Sequence, residues 1–321
     1  MEDVKSEIQS PPLPAPGLLA EIRDFWISFP HRLAFLFLLL GWLLLFQFFG
    51  NSTFGYYDTP SLLEWMDQVY SKPDGDDAHG LLVPFIVLGV LWWKRDRLST
   101  LPRDVWWPGL ALFAGAVVLH VVGFIIQQPR VSIVALYSGI YALTGLVWGP
   151  QWLKETAFPF GLCVFAIPFG TVIDGITFPL RIVATKITVV IVHGIFGIDV
   201  IREGTQIFDA AGKYKYDVSV ACSGIRSLLS LTMLSTIYAF LAFAGFWRRA
   251  LLIGSAVPLA VISNVARLTL IILAAEAFGQ GAGNYVHEKL AILFYIPAFI
   301  GLWLLGKLLH RTGHKWTKPN E

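Results

Sequence analysis

The chain has 321 residues, of which 55% are hydrophobic and only 14% are charged, and its formal net charge is +2. Soluble domains carry about 25% charged residues, so this composition excludes an ordinary soluble domain and predicts a helical protein that crosses a membrane several times. The small net charge argues against nucleic acid as a partner. The two cysteines, Cys163 and Cys222, cannot form a framework of several disulfides. Cys163 lies inside an apolar run and is interpreted as a small buried hydrophobe.

Apolar stretches near 20 residues long, the length that crosses a bilayer as a helix, recur along the chain. They follow a leader, residues 1–32, which is mostly polar, is rich in proline between positions 11 and 16, and is expected to be disordered and cytoplasmic. We predict eight transmembrane helices within a membrane domain of residues 33–308: 33–50, 80–93, 106–127, 131–148, 156–173, 224–245, 250–276 and 290–308. The fifth contains Pro159 and Pro168, which predicts a broken helix. Residues 309–321 form a short tail.

The one sizeable segment outside the predicted spans, residues 174–221, lies between the fifth and the sixth. Residues 176–195 carry Arg181, Lys186 and His193 among apolar residues, which indicates either a short interfacial amphipathic helix or a ninth span. Further on, two short runs of alternating polarity flank a turn at Ala-Gly, residues 211–212, and this pattern is typical of a β-hairpin. The predicted fold class is therefore an all-α polytopic membrane protein with a short extracytoplasmic helix and a possible β-hairpin before the sixth span.

The distribution of lysine and arginine predicts the orientation of the spans. A cytoplasmic N-terminus places most of them on the inner side, including the clusters at residues 94–103 and 248–249, whereas the loop after the first span is acidic. Both termini, with the tail 309–321, are then cytoplasmic. Residues 174–221, Cys222 and His287 then lie at the outer face.

The most informative residue is Cys222, within the sequence Ala-Cys-Ser-Gly-Ile-Arg at residues 221–226, where a polar segment meets the sixth predicted helix. The positive end of a helix dipole and a nearby arginine, here Arg226, both lower the pKa of a thiol. The small residues Ser223 and Gly224 leave room for a peptide to approach, and the N–H groups of the helix end could bind an oxyanion. The alternative is an inert cysteine at a helix end.

Further polar groups lie at or within the apolar helices. Arg267 is about 14 Å from the outer end of its helix, where an unpaired charge costs at least about 2.5 kcal/mol. Asn264 shares its face, which indicates a polar cavity inside the bundle, or else a structural hydrogen bond between helices. His287 is expected just before the eighth span, where a helix N-terminus favours the neutral imidazole of a general base, although a structural role is the alternative. His79 opens the second span, as a structural residue or a substrate contact.

These motifs, in this order and across these helices, resemble the exosortase/archaeosortase family: residues 220–228 around the cysteine, the Asn-Val-Ala-Arg run 264–267 and the Val-His-Glu run 286–288, with His-Gly at 79–80. The resemblance covers roughly residues 30–308. It implies a membrane cysteine transpeptidase that acts on proteins with a C-terminal tripartite signal: a short motif such as Pro-Glu-Pro, a transmembrane helix and a basic cluster. It also implies the following roles: catalytic Cys222, Arg267 and His287, with Ser223, Gly224, Arg226, Asn264 and His79 in supporting or substrate-binding positions.

The function expected from this resemblance is cleavage of a C-terminal sorting signal through a thioester on Cys222, followed by transfer to an amine or to water. The expected location is the bacterial inner membrane, with the site at the periplasmic face. The expected partners are exported proteins and the lipid bilayer, without cofactor or metal. Two alternatives stay open: a non-enzymatic membrane component of exopolysaccharide export, and an anion-binding transporter, although the sequence lacks the symmetry between halves that transporters usually show.

Overall fold

The computed structural model describes residues 17–53, 57–72, 77–169, 171–209, 212, 214–217, 225–290, 293 and 295–313. Most of these residues are helical. The α-helices are α1 (Leu18–Ile27), α2 (Arg32–Phe49), α3 (Leu62–Tyr70), α4 (Val83–Trp93), α5 (Arg95–Ser99), α6 (Pro108–Ile125), α7 (Pro129–Trp148), α8 (Pro150–Gly161), α9 (Thr171–Phe196), α10 (Ile225–Ala242), α11 (Phe246–Gly254), α12 (Ala256–Phe278), α13 (Gln280–Lys289) and α14 (Tyr295–Gly313). Short 3-10 helices cover Ala78–Leu82 and Leu162–Ala166.

The described helices include stretches that are long and apolar enough to cross a membrane. These are Arg32–Phe49, Pro108–Ile125, Pro129–Trp148, Thr177–Phe196 and Phe246–Phe278, and two shorter apolar stretches are Ala78–Trp93 and Leu228–Ala242. The predicted all-α polytopic membrane fold is therefore confirmed.

The fifth predicted span is broken, as its prolines indicated. Helix α8 contains Pro159 and ends at Gly161, and the chain continues as the 3-10 helix Leu162–Ala166. Cys163 lies on this 3-10 helix, is 6% exposed and packs with Val87 of α4 and other apolar residues. The interpretation of Cys163 as a buried hydrophobe is confirmed.

The prediction that the whole leader is disordered is wrong for its last third. Helix α1 forms there, and the residues after it stay attached to the bundle. Phe29 is 3% exposed and packs on the Trp148 ring, with 4.9 Å between ring centroids, and Trp148 Nε1 donates a hydrogen bond to Pro30 O at 3.0 Å. Burial of these aromatic rings stabilises the segment, a contribution that the prolines earlier in the leader conceal in the sequence.

Between α9 and α10 the chain forms a small antiparallel sheet in the order β1 (Val200–Glu203), β2 (Gln206–Asp209), β3 (Lys215–Asp217). The predicted hairpin is confirmed as β2–β3, with Phe208 opposite Lys215 and with Gly212 at φ +79° in the turn. The stretch predicted as the first strand contains a second turn at Gly204, whose φ is +61°. This left-handed conformation suits glycine, and it divides the stretch into β1 and β2.

Helix α9 is much longer than the short amphipathic helix predicted for this segment. Its three polar side chains do not share one face, because Arg181 is 7% exposed whereas Lys186 and His193 point to the surface. Its stretch Thr177–Phe196 is long and apolar enough to cross a membrane, which is the ninth-span alternative. Helix α9 packs along α12, and both contribute to one hydrophobic cluster with the sheet.

The packing of α10 against α11 and α12 positions the site. Leu252 of α11 belongs to the same buried cluster as Ala239, near the end of α10. At the other end, Asn264 of α12 lines a cavity together with Leu228 of α10. The residue number therefore rises along α11–α12 by about as much as it falls along α10, so the two run antiparallel with a constant register.

This register aligns the start of α10 with the middle of α12. Three residues beyond Asn264 is Arg267, and three residues before Leu228 is Ile225, the first residue of α10. Arg267 therefore lies at the level where α10 begins. The second half of α12, with α13 and the sheet, extends beyond that level.

Candidate active site

The centre of the site is a contact between α12 and α13. Gly279, at φ +85°, ends α12, and α13 then folds back along it. Helix α13 is about 15 Å long at 1.5 Å per residue, so it returns almost to the middle of α12. There Arg267 Nη2 donates a hydrogen bond of 3.1 Å to the main-chain oxygen of His287.

The position of His287 corrects one prediction. We expected it at a helix N-terminus just before the last span, but the structure places it in the last turn of α13. The dipole at a helix C-terminus favours positive charge rather than the neutral imidazole. The carbonyl groups that this end leaves unpaired suit the guanidinium of Arg267. His287 is half-buried and lies at the same level as Arg267 rather than at the far end of α12.

A small cavity adjoins this contact, one turn of α12 away from Arg267. It is lined by Asn264 of α12, which is 8% exposed, by Leu228 of α10, and by Thr177 and Arg181 of α9. Arg181 Nη2 donates to Thr177 Oγ1 at 3.3 Å. The predicted polar cavity on the Asn264–Arg267 face is confirmed, and it contains a second guanidinium.

Sequence reasoning missed Arg181 as a site residue because it treated the helix as interfacial. The signal is nevertheless present in the spacing of polar residues along α9. Thr177, Arg181, Thr185 and Thr188 recur at three- and four-residue intervals, and all four are buried. Such a stripe on an apolar helix marks a face turned toward the protein interior.

The segment with the candidate nucleophile enters at the same level. Cys222, Ser223 and Gly224 lie outside the described residues, and Arg226 is the second residue of α10. Three residues of chain span at most about 11 Å. The Cα atom of Cys222 therefore lies within that distance of Ile225, and the register places Ile225 opposite Arg267.

His79 lies toward the same end of α10. It is 6% exposed, and its 3-10 helix contacts α10. Helix α4, which follows, runs parallel to α10, because Trp93 at the end of α4 lines a cavity with Phe240 near the end of α10. Next to His79, Gly80 allows close approach: a Cβ atom there would lie 2.6 Å from the Tyr70 ring.

A side-chain amide connects α13 to the sheet that leads toward Cys222. Gln280 Oε1 accepts a hydrogen bond from Lys215 N at 3.0 Å, and Gln280 Nε2 donates to Lys215 O at 3.1 Å. Gln280 thereby occupies the edge of β3 as another strand would. It fixes the first turn of the helix that carries His287 relative to the strand that precedes the cysteine.

The described part of the chain contains no group of three His, Cys, Asp or Glu side chains suited to a metal ion. The groups available for chemistry at this level are two guanidiniums, Arg181 and Arg267, and two imidazoles, His79 and His287. Guanidiniums bind and stabilise anions, whereas imidazoles transfer protons near neutral pH.

Fold and site together define a polytopic helical membrane protein with a cluster of cationic and proton-transferring groups at the level where α10 begins. The chain belongs to a known family: the model described as Transmembrane exosortase (Exosortase_EpsH) matches residues 65–304. The matched region contains every site residue named above and begins within α3, so α1 and α2 lie outside it. No curated protein and no solved structure matches the chain significantly.

Proposed function

We propose that this exosortase-family protein is a membrane cysteine transpeptidase that cleaves the C-terminal sorting signal of exported proteins through a thioester on Cys222. The observation that carries the proposal is the alignment of three elements at one level. These are the start of α10, three residues after the cysteine, the midpoint of α12 with Arg267, and the end of α13 with His287. A nucleophile, an anion stabiliser and a proton shuttle are the groups that acyl transfer requires.

In the first half of the proposed reaction, the Cys222 thiolate attacks the scissile carbonyl carbon. The carbonyl oxygen becomes an oxyanion, which Arg267 and the first N–H groups of α10 stabilise. When the intermediate collapses, the C–N bond breaks and His287 donates a proton to the leaving amine. Arg267 contacts His287 through the main-chain oxygen, so this contact does not use the imidazole nitrogens.

In the second half, an acceptor amine or water attacks the thioester carbonyl. Neutral His287 accepts the proton of the attacking group, the C–S bond breaks, and the Cys222 thiolate is regenerated. The same imidazole therefore acts as acid and then as base, so it must exchange protons in both directions. Arg181 and Asn264, in the adjoining cavity, supply polar contacts for the substrate main chain next to the cleaved bond.

The proposed location is the bacterial inner membrane, with both termini in the cytoplasm. The outer boundary of the membrane then lies near the start of α10, and the site opens to the periplasm. Two observations support this placement. Lys94 and Arg249 gather around the other end of α10, as positive-inside orientation requires, and the sheet and α13 extend beyond its first residue.

The proposal is tested with an exported reporter protein that ends in a Pro-Glu-Pro motif, a transmembrane helix and a basic cluster. We expect the reporter to lose its C-terminal region only when this chain is co-expressed, and mass spectrometry of the new C-terminus to locate the cleaved bond. A full-length reporter in cells that produce the chain in their membranes would contradict the proposed activity for this signal.

We expect His287→Ala to slow processing by about 10²–10⁴-fold, the contribution of a proton shuttle, without abolishing attack by the thiolate. The measurement is the rate of reporter processing across pH, where the variant should lose a limb of the wild-type profile. His193→Ala is the matched control, because His193 is an exposed histidine at the end of α9 that pairs with Asp199 at 3.1 Å. Wild-type rates and an unchanged profile in His287→Ala would transfer the assignment to His79.

A further inference from the structure

A second cavity lies at the opposite end of α10 from the candidate active site, between α4, α8, α10 and α11. Its volume is about 680 Å³, within the range of sites that hold small organic ligands. Since Phe240 lies 15 residues beyond Ile225 along α10, the two sites are separated by about 22 Å. The proposed catalytic mechanism uses none of the residues that line this cavity.

One end of the cavity is basic. Lys94, Lys154 and Arg249 come from three different helices and line the same space. Arg249 is held in place, because its Nε donates to Phe243 O at 2.7 Å and its guanidinium lies 4.3 Å from the Phe240 ring centroid. Three converging cations on separate helices would repel each other unless an anion lies between them.

The single carboxylate near these cations does not neutralise them. Glu155 pairs with Lys94 at 3.3 Å and with Arg97 at 3.3 Å. Burial would raise the pKa of Glu155, but the hydrogen bonds from Lys94 and Arg97 hold it below its ordinary value. Glu155 is thus ionised and shared between two cations, so the cluster with Lys154 and Arg249 keeps an excess of positive charge.

The rest of the cavity is apolar and opens on the side of the bundle. Trp93, Val164 and Leu241 line it and are 60%, 46% and 40% exposed. The inner wall is the stacked pair Phe158 and Phe240, whose ring centroids are 4.3 Å apart. A ligand that matches both ends of this cavity has an anionic head group and an apolar chain.

We propose that this cavity binds an anionic phospholipid, with its phosphate among Lys94, Lys154 and Arg249 and an acyl chain along the apolar wall. Basic pockets between transmembrane helices at the cytoplasmic side bind such head groups. The lipid occupies the leaflet opposite the candidate active site. It stabilises the junction of α4, α8 and α10, where the broken helix α8 leaves an open groove.

The test measures lipid retention and needs no catalytic activity. The purified full-length protein is equilibrated in micelles that contain equal amounts of dioleoylphosphatidylglycerol and dioleoylphosphatidylcholine, and native mass spectrometry gives the ratio of the two lipids retained. We expect the wild-type protein to prefer phosphatidylglycerol, and the double variant Lys154→Gln/Arg249→Gln to lose about fivefold of that preference for each charge removed.

The matched control is Arg248→Gln/Lys307→Gln, which removes two basic side chains near the same end of the bundle that do not line the cavity. It should keep the wild-type ratio. Because Arg249 also makes intramolecular contacts, the single variant Lys154→Gln, at an exposed side chain, serves if the double variant does not fold. Equal retention of both lipids by the wild-type protein, an unchanged ratio in the cavity variants, or displacement of the lipid by glycerol phosphate at the same concentration would overturn the proposal.

Discussion

Replacement of Cys222 by alanine is expected to abolish processing of the reporter, a loss on the order of 10⁴-fold or more. The thiol is the atom to which the acyl group becomes attached, so neither Arg267 nor His287 can compensate for its absence. The measurement is the fraction of reporter cleaved in cells whose membranes contain equal amounts of wild-type and variant protein.

Cys163→Ala is the matched control, since it removes the other thiol of the chain from a buried position on a 3-10 helix. It should leave processing close to the wild-type rate. A non-enzymatic export component or a transporter would tolerate either substitution. Reporter cleavage that continues in Cys222→Ala would therefore exclude the cysteine mechanism.

Arg267→Lys is expected to reduce processing by about 100-fold or more, the loss that follows removal of one oxyanion-stabilising group, although the positive charge remains. Arg267 donates through one Nη atom to the His287 carbonyl and keeps further N–H groups of the same planar fork for an oxyanion. A lysine ammonium has a different reach and geometry, and it loses its proton more readily when it is poorly hydrated. The measurement is the processing rate at matched protein levels.

The control for this substitution is Arg202→Lys, on strand β1 in the same half of the molecule, where the exposed guanidinium bonds only to a nearby main-chain oxygen of the turn at Gly204. It should retain the wild-type rate. If Arg267→Lys processed the reporter equally well, Arg267 would act as a point charge or as a structural link between α12 and α13.

Much of the fold could be predicted because hydrophobic length and proline position act locally. Apolar runs near 20 residues long must satisfy their main chain as helices in a membrane, and helices occupy the predicted runs. Pro159 interrupts α8 because it cannot donate the helical hydrogen bond. The turn at Gly212 and the hairpin β2–β3 likewise follow from local residue types.

The arrangement of the site could not be predicted, because it depends on packing between distant segments. The identities of Arg267 and Asn264 indicated a polar face, and the cavity beside them bears this out. The reversal at Gly279 is not visible in hydropathy, since α13 is polar and short, yet it moves His287 to a helix C-terminus beside Arg267. Arg181 was overlooked because its burial depends on the contact of α9 with α12.

The most direct test of the proposed mechanism is to look for the acyl-enzyme. The full-length His287→Ala protein, in which turnover of the thioester should be slow, is incubated with the purified reporter, digested and mapped by mass spectrometry. The proposed mechanism predicts a reporter fragment attached to the peptide that contains Cys222, which hydroxylamine releases as a thioester should be. A reporter that is cleaved while Cys222 stays unmodified, in this variant and in the wild-type protein, would contradict it.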